Sequence, residues 1–371
     1  MTIYHFVVPC LMGTEGLVAD ELKFHGFEGV IAENGRVRFD GDMAEGARAN
    51  VILRCGERVL LEIGRFKAQT FEELFQGTKA LPWEGMIGRR DAFPVKGYCL
   101  DSKLHSVPSC QSIIKKAVVE RLRERYSLSW LEEDGAKYQI QFAIIKDTAE
   151  LYLDMTGAPL YKRGYKQESN MATIRETLAA SMVKIARYRG RETFIDPFCG
   201  SGTIAIEAAM ASLGIMPGAH RKFEAEQWGF FDTSCFADLR EEYQENERHE
   251  KLPIFASDID PACVEITREN ARRAGILDCI EVRRADALKL EYPREKGVVI
   301  TNPPYGQRMM DIEQARRIYR MLGRQMRGCD GLKKYIITSD EEFESHFGTK
   351  ADKKRKLYNG MIKCNLYMYF K

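Results

Sequence analysis

The chain carries at positions 297–305 the sequence Gly-Val-Val-Ile-Thr-Asn-Pro-Pro-Tyr. Its first four residues, Gly297 to Ile300, form a continuous apolar run with the length of a buried strand. The run is followed by an amide, two prolines and an aromatic ring. Open α/β sheets form their ligand crevices at the carboxyl ends of strands. The segment therefore predicts a parallel sheet with a binding site at this end.

A second motif, Asp196-Pro197-Phe198-Cys199-Gly200-Ser201-Gly202-Thr203, lies roughly a hundred residues upstream. It has the form of a strand, a glycine-rich turn and a helix that runs to Leu213. Glycines let the backbone turn tightly against a ligand, and the free N–H groups of a helix start attract an anion. The carboxylate of S-adenosylmethionine is such an anion, and Asp196 is placed to accept from its ammonium group. The third glycine of the dinucleotide fingerprint is missing, which favours this cofactor over a dinucleotide.

Acidic residues follow two further predicted strands. Asp258 ends the second strand, where an acid can bind both ribose hydroxyls, and Ile259 can pack against adenine. Asp260 precedes a proline and is expected to cap a helix. Asp286, followed by Ala287, comes after the third strand. It either accepts from the adenine amine or caps the end of a loop.

The Asn302-Pro303-Pro304-Tyr305 segment suits a planar exocyclic amine. Such an amine is a poor nucleophile because its lone pair is delocalised into the ring. The Asn302 side-chain oxygen and the Pro303 carbonyl could orient it and stabilise the charge that develops. The prolines would hold the loop rigid, and Tyr305 offers a face on which an extruded base can stack. The two motifs together predict a methyltransferase that acts on an amine, without a metal.

The C-terminal half repeats strand and helix units after a first helix at 173–188. Predicted strands lie at 193–196, 254–257, 279–282, 298–300 and 335–338. Residues 354–370 contain Asn359-Gly360 between two alternating runs, a pattern typical of a β-hairpin. The expected fold class is α/β, with a Rossmann-like parallel sheet completed by an antiparallel C-terminal hairpin.

The N-terminal half predicts two smaller α+β blocks. The first contains a strand at 3–8, a helix at 16–22 and a hairpin at 30–39, and is expected to be ferredoxin-like. The second contains a strand at 93–100, a helix from 108 to 126 and strands at 138–145 and 149–154. The polar face of that helix carries basic residues, among them Lys115 and Lys116. These residues either face solvent or contact RNA.

Charge is distributed unevenly, although the net charge is only +2. Residues 162–191 contain eight basic and two acidic side chains. The first of them, Lys162, Arg163 and Lys166, alternate with Tyr165 in a pattern that suits a phosphate backbone and unstacked bases. A solvated linker fits the same charges equally well. Residues 223–250 contain nine acidic side chains. They belong to a predicted insertion, roughly 214–253, which is expected to loop away from the sheet.

Composition limits the remaining classes. Charged residues make up 30% of the chain and the mean hydropathy is −0.36, so we expect a soluble globular protein. The ten cysteines show no zinc-site spacing and are expected to be reduced. No apolar run is long enough to span a bilayer, and the N-terminus does not resemble a signal peptide. These features favour a cytoplasmic location, with no membrane and no metal partner.

The two motifs resemble those of a known family. Phe198 to Thr203, together with Asn302 to Gly306, is similar to the motifs of THUMP-domain class I RNA methyltransferases, in particular the bacterial large-subunit rRNA guanine-N2 methyltransferases. Lys162 to Lys166 resembles the family's junction motif, and Arg175 to Ala180 its first methyltransferase helix. One departure is Met171-Ala172-Thr173-Ile174, where relatives commonly have Ala-Pro-Leu.

The resemblance implies four segments: a ferredoxin-like domain at 1–64, an RNA-binding THUMP domain at 65–160, a basic linker and helix at 161–190, and a methyltransferase domain at 191–371. It implies S-adenosylmethionine at 196–203, 258–259 and 286–287, and the target guanine at 302–305. The expected partner is structured RNA, with rRNA favoured over tRNA. Guanine-N2 methylation of tRNA and adenine-N6 methylation remain alternatives, and so does an RNA-binding assembly factor with an inactive core.

Overall fold

The computed structural model describes residues 2–166, 173–294, 296–305 and 312–370. Met171, Ala172 and Gly306, which entered the family comparison above, lie outside these ranges. The chain divides into two compact units, each made of three segments. The first unit comprises residues 1–9, 19–160 and 222–241, and the second comprises 10–18, 161–221 and 242–371.

The N-terminal region contains seven strands and four α-helices within its described residues. The strands are β1 (Tyr4–Pro9), β2 (Glu28–Glu33), β3 (Arg36–Gly41), β4 (Leu60–Lys67), β5 (Val95–Leu100), β6 (Ile140–Ile145) and β7 (Thr148–Asp154). The helices are α1 (Glu15–Phe24), α2 (Met43–Ile52), α3 (Phe71–Ala80) and α4 (Val107–Tyr126). The predicted hairpin is present as β2 and β3, which pair antiparallel.

All seven strands form one sheet in the order β2-β3-β1-β4-β7-β6-β5. Only β5 and β6 pair in parallel; every other neighbouring pair is antiparallel. Strand β4 crosses the predicted boundary at residue 64 and pairs with β1 on one side and β7 on the other. The ferredoxin-like and THUMP regions are therefore hydrogen-bonded into a continuous sheet.

Part of the acidic insertion packs within the first unit. Trp228 stacks on Tyr138 with ring centroids 5.0 Å apart, and its indole nitrogen donates to the Lys137 carbonyl at 2.9 Å. The Ala225 N–H donates to the Met155 carbonyl at 3.0 Å. Residues 222–241 thus have specific partners in the first unit. Aromatic stacking and the ion pair of Glu224 with Lys137, at 3.3 Å, both anchor the segment.

The C-terminal region contains the second sheet. Its strands are β8 (Thr193–Asp196), β9 (Ile254–Asp258), β10 (Glu281–Arg284), β11 (Gly297–Thr301), β12 (Leu332–Thr338), β13 (Lys353–Asn359) and β14 (Ile362–Tyr369). The described α-helices are α5 (Glu176–Ala186), α6 (Thr203–Leu213), α7 (Cys235–Glu245), α8 (Pro261–Arg273), α9 (Ile312–Gln325) and α10 (Phe343–Phe347). The third predicted strand begins two residues late, because Leu277–Cys279 form a 3₁₀ turn.

The strand order of this sheet is β10-β9-β8-β11-β12-β14-β13. The first five strands are parallel, and β14 and β13 close the sheet as an antiparallel hairpin. This arrangement confirms the predicted fold class. Two apolar cores cover its faces, one built around α5 and α6 and the other around α9 and α10. Because β9, β8 and β11 are neighbours, their carboxyl ends meet at one edge of the sheet.

Candidate active site

The glycine-rich turn after β8 is held by hydrogen bonds to β9 and α8. The Cys199 N–H donates to the Ser257 carbonyl at 3.0 Å. The Thr267 hydroxyl donates to the Gly200 carbonyl at 2.9 Å, and the Asn270 amide donates to the Ser201 carbonyl at the same distance. These bonds fix the turn, so that its shape does not depend on a ligand.

Glycine is required at the turn's last position. Gly202 has a φ of +78°, and a Cβ there would lie 2.6 Å from the Thr267 methyl group. Gly200 also has a positive φ, +54°, but a Cβ there meets no atom within 4 Å. The helix α6 starts at Thr203, whose hydroxyl lies 3.0 Å from that of Ser201. The backbone at Gly200 is consequently open to a close-fitting ligand.

Asp196 is fully buried at the end of β8. Its Oδ1 accepts from the Thr301 hydroxyl at 2.8 Å, while its Oδ2 is buried without a hydrogen-bond partner among the described residues. Burial raises the pKa of Asp196 to about 7, and hydrogen bonds from the Thr301 hydroxyl and the Phe198 backbone oppose this rise. A buried carboxylate oxygen that lacks a donor is a suitable acceptor for an ammonium group.

Asp258 and Ile259 lie beside this turn. The Asp258 carboxylate accepts from the N–H groups of Gly200 and Asp260, each at 3.0 Å. These two bonds leave further lone pairs for hydroxyl donors. Ile259 is 60% exposed, so its side chain is accessible to a ligand. Asp260 caps α8 by accepting from the Ala262 N–H at 2.9 Å, as the sequence predicted.

Asp286 and Ala287 follow β10. Asp286 Oδ1 accepts from the Leu288 N–H at 2.9 Å, which is the loop-capping contact considered as its alternative role. Its side chain is 27% exposed, and its Oδ2 lies 3.7 Å from the Lys289 ammonium. Ala287 is buried, and its carbonyl accepts from the Tyr292 hydroxyl at 3.2 Å. The loop-capping role of Asp286 is therefore observed, and its contact with adenine stays a prediction.

The Asn302–Tyr305 segment continues directly from β11. Tyr319, fully buried on α9, donates to the Pro304 carbonyl at 2.8 Å and lies 3.0 Å from the Thr338 hydroxyl. Pro303 is buried. No described residue hydrogen-bonds to the Asn302 side chain, which is partly exposed. The Pro304 carbonyl is therefore occupied, whereas the amide of Asn302 is available to a ligand.

Thr301 joins the two motifs and was not singled out by the sequence. It is fully buried, and it precedes Asn302 while bonding Asp196 across 105 residues. Parallel pairing of β8 with β11 places them side by side. Its signal could have been the hydroxyl at the last position of an otherwise apolar strand. Tyr319 and Asn359, whose amide lies 3.5 Å from the Tyr305 hydroxyl, gave no local signal.

A cavity of about 350 Å³ opens near these strands, but on another surface. It is lined by Ile195 and Ser257, the residues that precede Asp196 and Asp258. Successive side chains of a strand point to opposite faces. The cavity thus belongs to a face of the sheet and not to the crevice at the strand ends.

The prediction that Arg163 and Tyr165 contact RNA is wrong for this structure. Both are 4% exposed and meet Glu207 of α6 in the interior. Arg163 Nε lies 3.3 Å and the Tyr165 hydroxyl 3.0 Å from the same Glu207 oxygen. The two side chains neutralise and satisfy a buried carboxylate, so they have no surface to offer a phosphate. The alternation of charge and aromatic residues could not distinguish a surface from an interior.

The other predicted RNA contacts differ in exposure. The Lys166 side chain is only 14% exposed and donates to the Ile174 carbonyl at 2.9 Å. The predicted RNA contact is therefore wrong for this residue too. Lys115 lies 2.6 Å from Glu133 and 3.5 Å from the centre of the Phe93 ring. Lys116 is 66% exposed, and Lys162 is also exposed. Of these lysines, only Lys116 and Lys162 are exposed.

In the described part of the chain, no group of histidine, cysteine or acidic residues is arranged to hold a metal ion. None of the helices there is both long and apolar enough to cross a membrane.

Three family models match this sequence. They describe an RlmL ferredoxin-like domain at residues 5–60, a THUMP domain at 68–154 and an RMKL-like methyltransferase domain at 163–368. The predicted resemblance is confirmed, and with it a methyltransferase class that uses S-adenosylmethionine.

Individual relatives agree with these matches. A Bacillus subtilis (strain 168) protein described as a candidate RNA methyltransferase, YpsC, is 41% identical over 100% of this chain and 97% of its own length. The ribosomal RNA large subunit methyltransferase K/L of Psychromonas ingrahamii is 33% identical over 98% of this chain and 50% of its own length. The chain thus spans about half the length of this K/L relative.

Solved structures extend the similarity. SMU.472, described as a candidate methyltransferase complexed with SAH, has a TM-score of 0.94 and 38% identity over 100% of this chain and 98% of that one. A Listeria monocytogenes protein named as an N6-adenine-specific DNA methylase has a TM-score of 0.94 and 41% identity, covering 100% and 96%.

Proposed function

The chain belongs to the RMKL-like methyltransferase family, and we propose that it transfers a methyl group from S-adenosylmethionine to the exocyclic N2 of a guanine in structured RNA. Large-subunit rRNA is the proposed substrate, because the K/L relatives carry that name and a THUMP domain matches residues 68–154. We further propose the division into domains at 1–64, 65–160, 161–190 and 191–371.

The observation that carries the proposal is the junction of Asp196 and Thr301. This 2.8 Å hydrogen bond joins the strand end that leads into the glycine turn to the strand end that leads into Asn302. A cofactor held by the first strand end and an amine held by the second would be neighbours. Methyl transfer needs this proximity, because the donor and the acceptor must be aligned before reaction.

The described residues fit S-adenosylmethionine. The unpartnered Oδ2 of Asp196 suits its ammonium, the α6 start its carboxylate, Asp258 its ribose, and exposed Ile259 its adenine. Phe198, Cys199 and Ser201 complete the turn, and Asp286 with Ala287 would bound the adenine. When bound, this cofactor supplies an electrophilic methyl group, so no strong general base is required.

The Asn302 segment would prepare the amine. Asn302 Oδ1 and the Pro303 carbonyl accept the two amine hydrogens, which directs the nitrogen lone pair and stabilises its growing positive charge. Tyr319 holds the Pro304 carbonyl and so limits the freedom of the loop. Tyr305 provides the stacking face. The excess proton leaves the methylated nitrogen to solvent, since the product amine is weakly basic.

Adenine-N6 methylation is the second candidate. It is favoured by the name of the Listeria protein. The geometry is compatible with it, since an amide and a proline carbonyl can bind the exocyclic amine of either base. The THUMP match supports RNA over DNA as the carrier. Guanine in tRNA remains a third target with the same chemistry, and Lys116 and Lys162 are candidate RNA contacts in each case. If the protein binds RNA but transfers no methyl group, it is an RNA-binding assembly factor with an inactive core.

Mass spectrometry of nucleosides tests the proposal. rRNA and tRNA from a deletion strain are compared with those of the parent. We expect N2-methylguanosine to fall in rRNA and to return when the gene is restored. A fall of N6-methyladenosine instead would select the second candidate, and a change confined to tRNA would replace the substrate. Unchanged nucleosides in both pools would refute methylation of RNA.

Asn302→Ala tests the proposed amine acceptor. We expect the rate of transfer to fall about 10²- to 10³-fold, the usual loss for one such transition-state hydrogen bond. The dissociation constant of S-adenosylmethionine, measured by calorimetry, should stay constant because Asn302 lies outside the glycine turn. The control is Asn365→Ala, which removes the amide of a partly buried asparagine on β14. A parental rate in Asn302→Ala would contradict the assignment.

A further inference from the structure

The C-terminal hairpin ends in a tight turn with a firm base. Asn359 pairs with Ile362, which leaves Gly360 and Met361 as a two-residue turn, and Gly360 has a φ of +63°. Below the turn, side chains of both strands are buried in the core: Leu357, Cys364 and Leu366. A glycine at the first turn position suits a two-residue hairpin. The turn therefore projects from a rigid root.

Met361 at this turn is 99% exposed. Isolated exposed apolar residues are common and need no explanation by themselves. The location of this residue provides a second observation, because the neighbouring Asn359 amide lies 3.5 Å from the Tyr305 hydroxyl. Tyr305 is the residue proposed to stack on the target base. The hairpin turn thus stands beside the proposed base site.

Basic residues line one face of the hairpin. Lys354, Lys356 and Tyr358 alternate along β13, and Lys363 pairs across from Tyr358. We refer to these four residues as the hairpin face. Lys356 Nζ lies 5.6 Å from the centre of the Tyr358 ring. Lys354 and Lys363 meet Glu344 and Glu341 at 2.7 and 2.9 Å in exposed pairs, which contribute little and can be exchanged for phosphate.

An alternative explanation covers the lysines but not the methionine. β13 is an edge strand, and lysines on such strands prevent pairing with other chains. An apolar side chain that projects from the turn gives no such protection. Proteins that distort nucleic acids insert apolar wedges, methionine among them, between bases. An unbranched thioether also adapts to an irregular gap.

We propose that this hairpin binds the substrate RNA, with Met361 filling the gap that the extruded base leaves in the stack. The lysines of the hairpin face contact the adjacent phosphates. This inference rests on the proposed function, because it takes Tyr305 as the residue that receives the base. An extruded base loses its stacking partners, and a side chain in the gap restores part of that contact. The hairpin would then hold the open state of the RNA.

Two substitutions test the wedge. Total RNA from the deletion strain is methylated with labelled S-adenosylmethionine by the parent, Met361→Ala and Met361→Leu. We expect Met361→Ala to lower kcat/KM for RNA about tenfold, and Met361→Leu to stay within about twofold of the parent, since leucine can also fill the gap. Phe24→Ala, which removes another side chain that is 84% exposed, is the control. A parental kcat/KM in Met361→Ala, or equal losses in both variants, would overturn the wedge.

A binding measurement separates this inference from the proposed function. Filter binding of the same RNA at several salt concentrations compares the parent with the double variant Lys354→Gln, Lys356→Gln. Losing two phosphate contacts should weaken binding and reduce the salt slope by about 1.4 to 1.8. Lys333→Gln, in β12, is the control. An unchanged affinity and slope overturn the hairpin contact. A parent that binds RNA without methylating it refutes the proposed function alone.

Discussion

Asp196→Asn should weaken binding of the cofactor and should make the protein more stable, relative to the parent, at pH 8.5 than at pH 5.5. Burial raises the pKa of Asp196 from 3.8 to about 7 in the folded protein. The unfolded chain therefore releases this proton first as the pH rises. As a result, Asp196 lowers the free energy of unfolding progressively as the pH rises from about 4 to about 7. Above pH 7 this loss of stability is complete.

The magnitude follows from the two pKa values. One pKa unit corresponds to about 1.4 kcal/mol, so a shift of about three units costs about 4 kcal/mol when complete. By pH 5.5 about half of this cost is already present. Between pH 5.5 and pH 8.5 the parent should thus lose about 2 kcal/mol that Asp196→Asn does not lose. The comparison between two pH values cancels the cost of the new amide hydrogens, which lack a partner.

Thermal and urea unfolding with and without S-adenosylmethionine measure both effects. We expect the stability of Asp196→Asn relative to the parent to improve by about 2 kcal/mol from pH 5.5 to pH 8.5. We also expect the cofactor to raise the Tm of the parent and not that of the variant, because an amide donates where an ammonium ligand needs an acceptor. A pH-independent difference between the proteins would refute the buried titration. Equal stabilisation of both by cofactor would refute the ammonium contact.

Two further predictions concern buried contacts. Thr301→Val removes the hydroxyl that supports the ionised Asp196, so the pH profile of the KM for S-adenosylmethionine should move to higher pH by about one unit, and the KM at pH 7 should rise about fivefold. Thr301→Ser should restore the parental profile, and a kcat change alone would contradict the role. Glu207→Gln removes the buried carboxylate that faces both the Arg163 guanidinium and the Tyr165 hydroxyl, and should lower the free energy of unfolding by about 3 kcal/mol. Glu265→Gln on the exposed face of α8 is its control, and an equal change in both would exclude the buried pair.

Several features followed from local sequence. The glycine turn with its helix at 203–213, the hairpin around Asn359-Gly360 and the short apolar strands all depend on neighbouring residues. Their side-chain spacing and turn chemistry are complete within a few positions. The candidate cofactor residues could be named for the same reason, because a parallel sheet brings the ends of its strands together wherever they occur in the chain.

Other features depended on partners far along the chain. Arg163 and Tyr165 look like surface residues until Glu207, more than forty positions away, is placed beside them. Trp228 gives no sign that it stacks on Tyr138. The strand β4 could have ended one domain, but its pairing with β1 and β7 joins two. Burial is a property of the assembled fold, so charge alternation could not predict it.

Local sequence was sufficient to predict the class of sheet, the two motifs at its strand ends and the kind of cofactor they fit. The folded structure was needed to show that Thr301 bonds Asp196, that Asp196 Oδ2 has no donor among the described residues, and that the hairpin turn lies beside Tyr305. Turns and short strands depend on adjacent residues, whereas the distance between two strand ends depends on the order in which the strands pair. That order brings residues 196 and 301 within one hydrogen bond of each other.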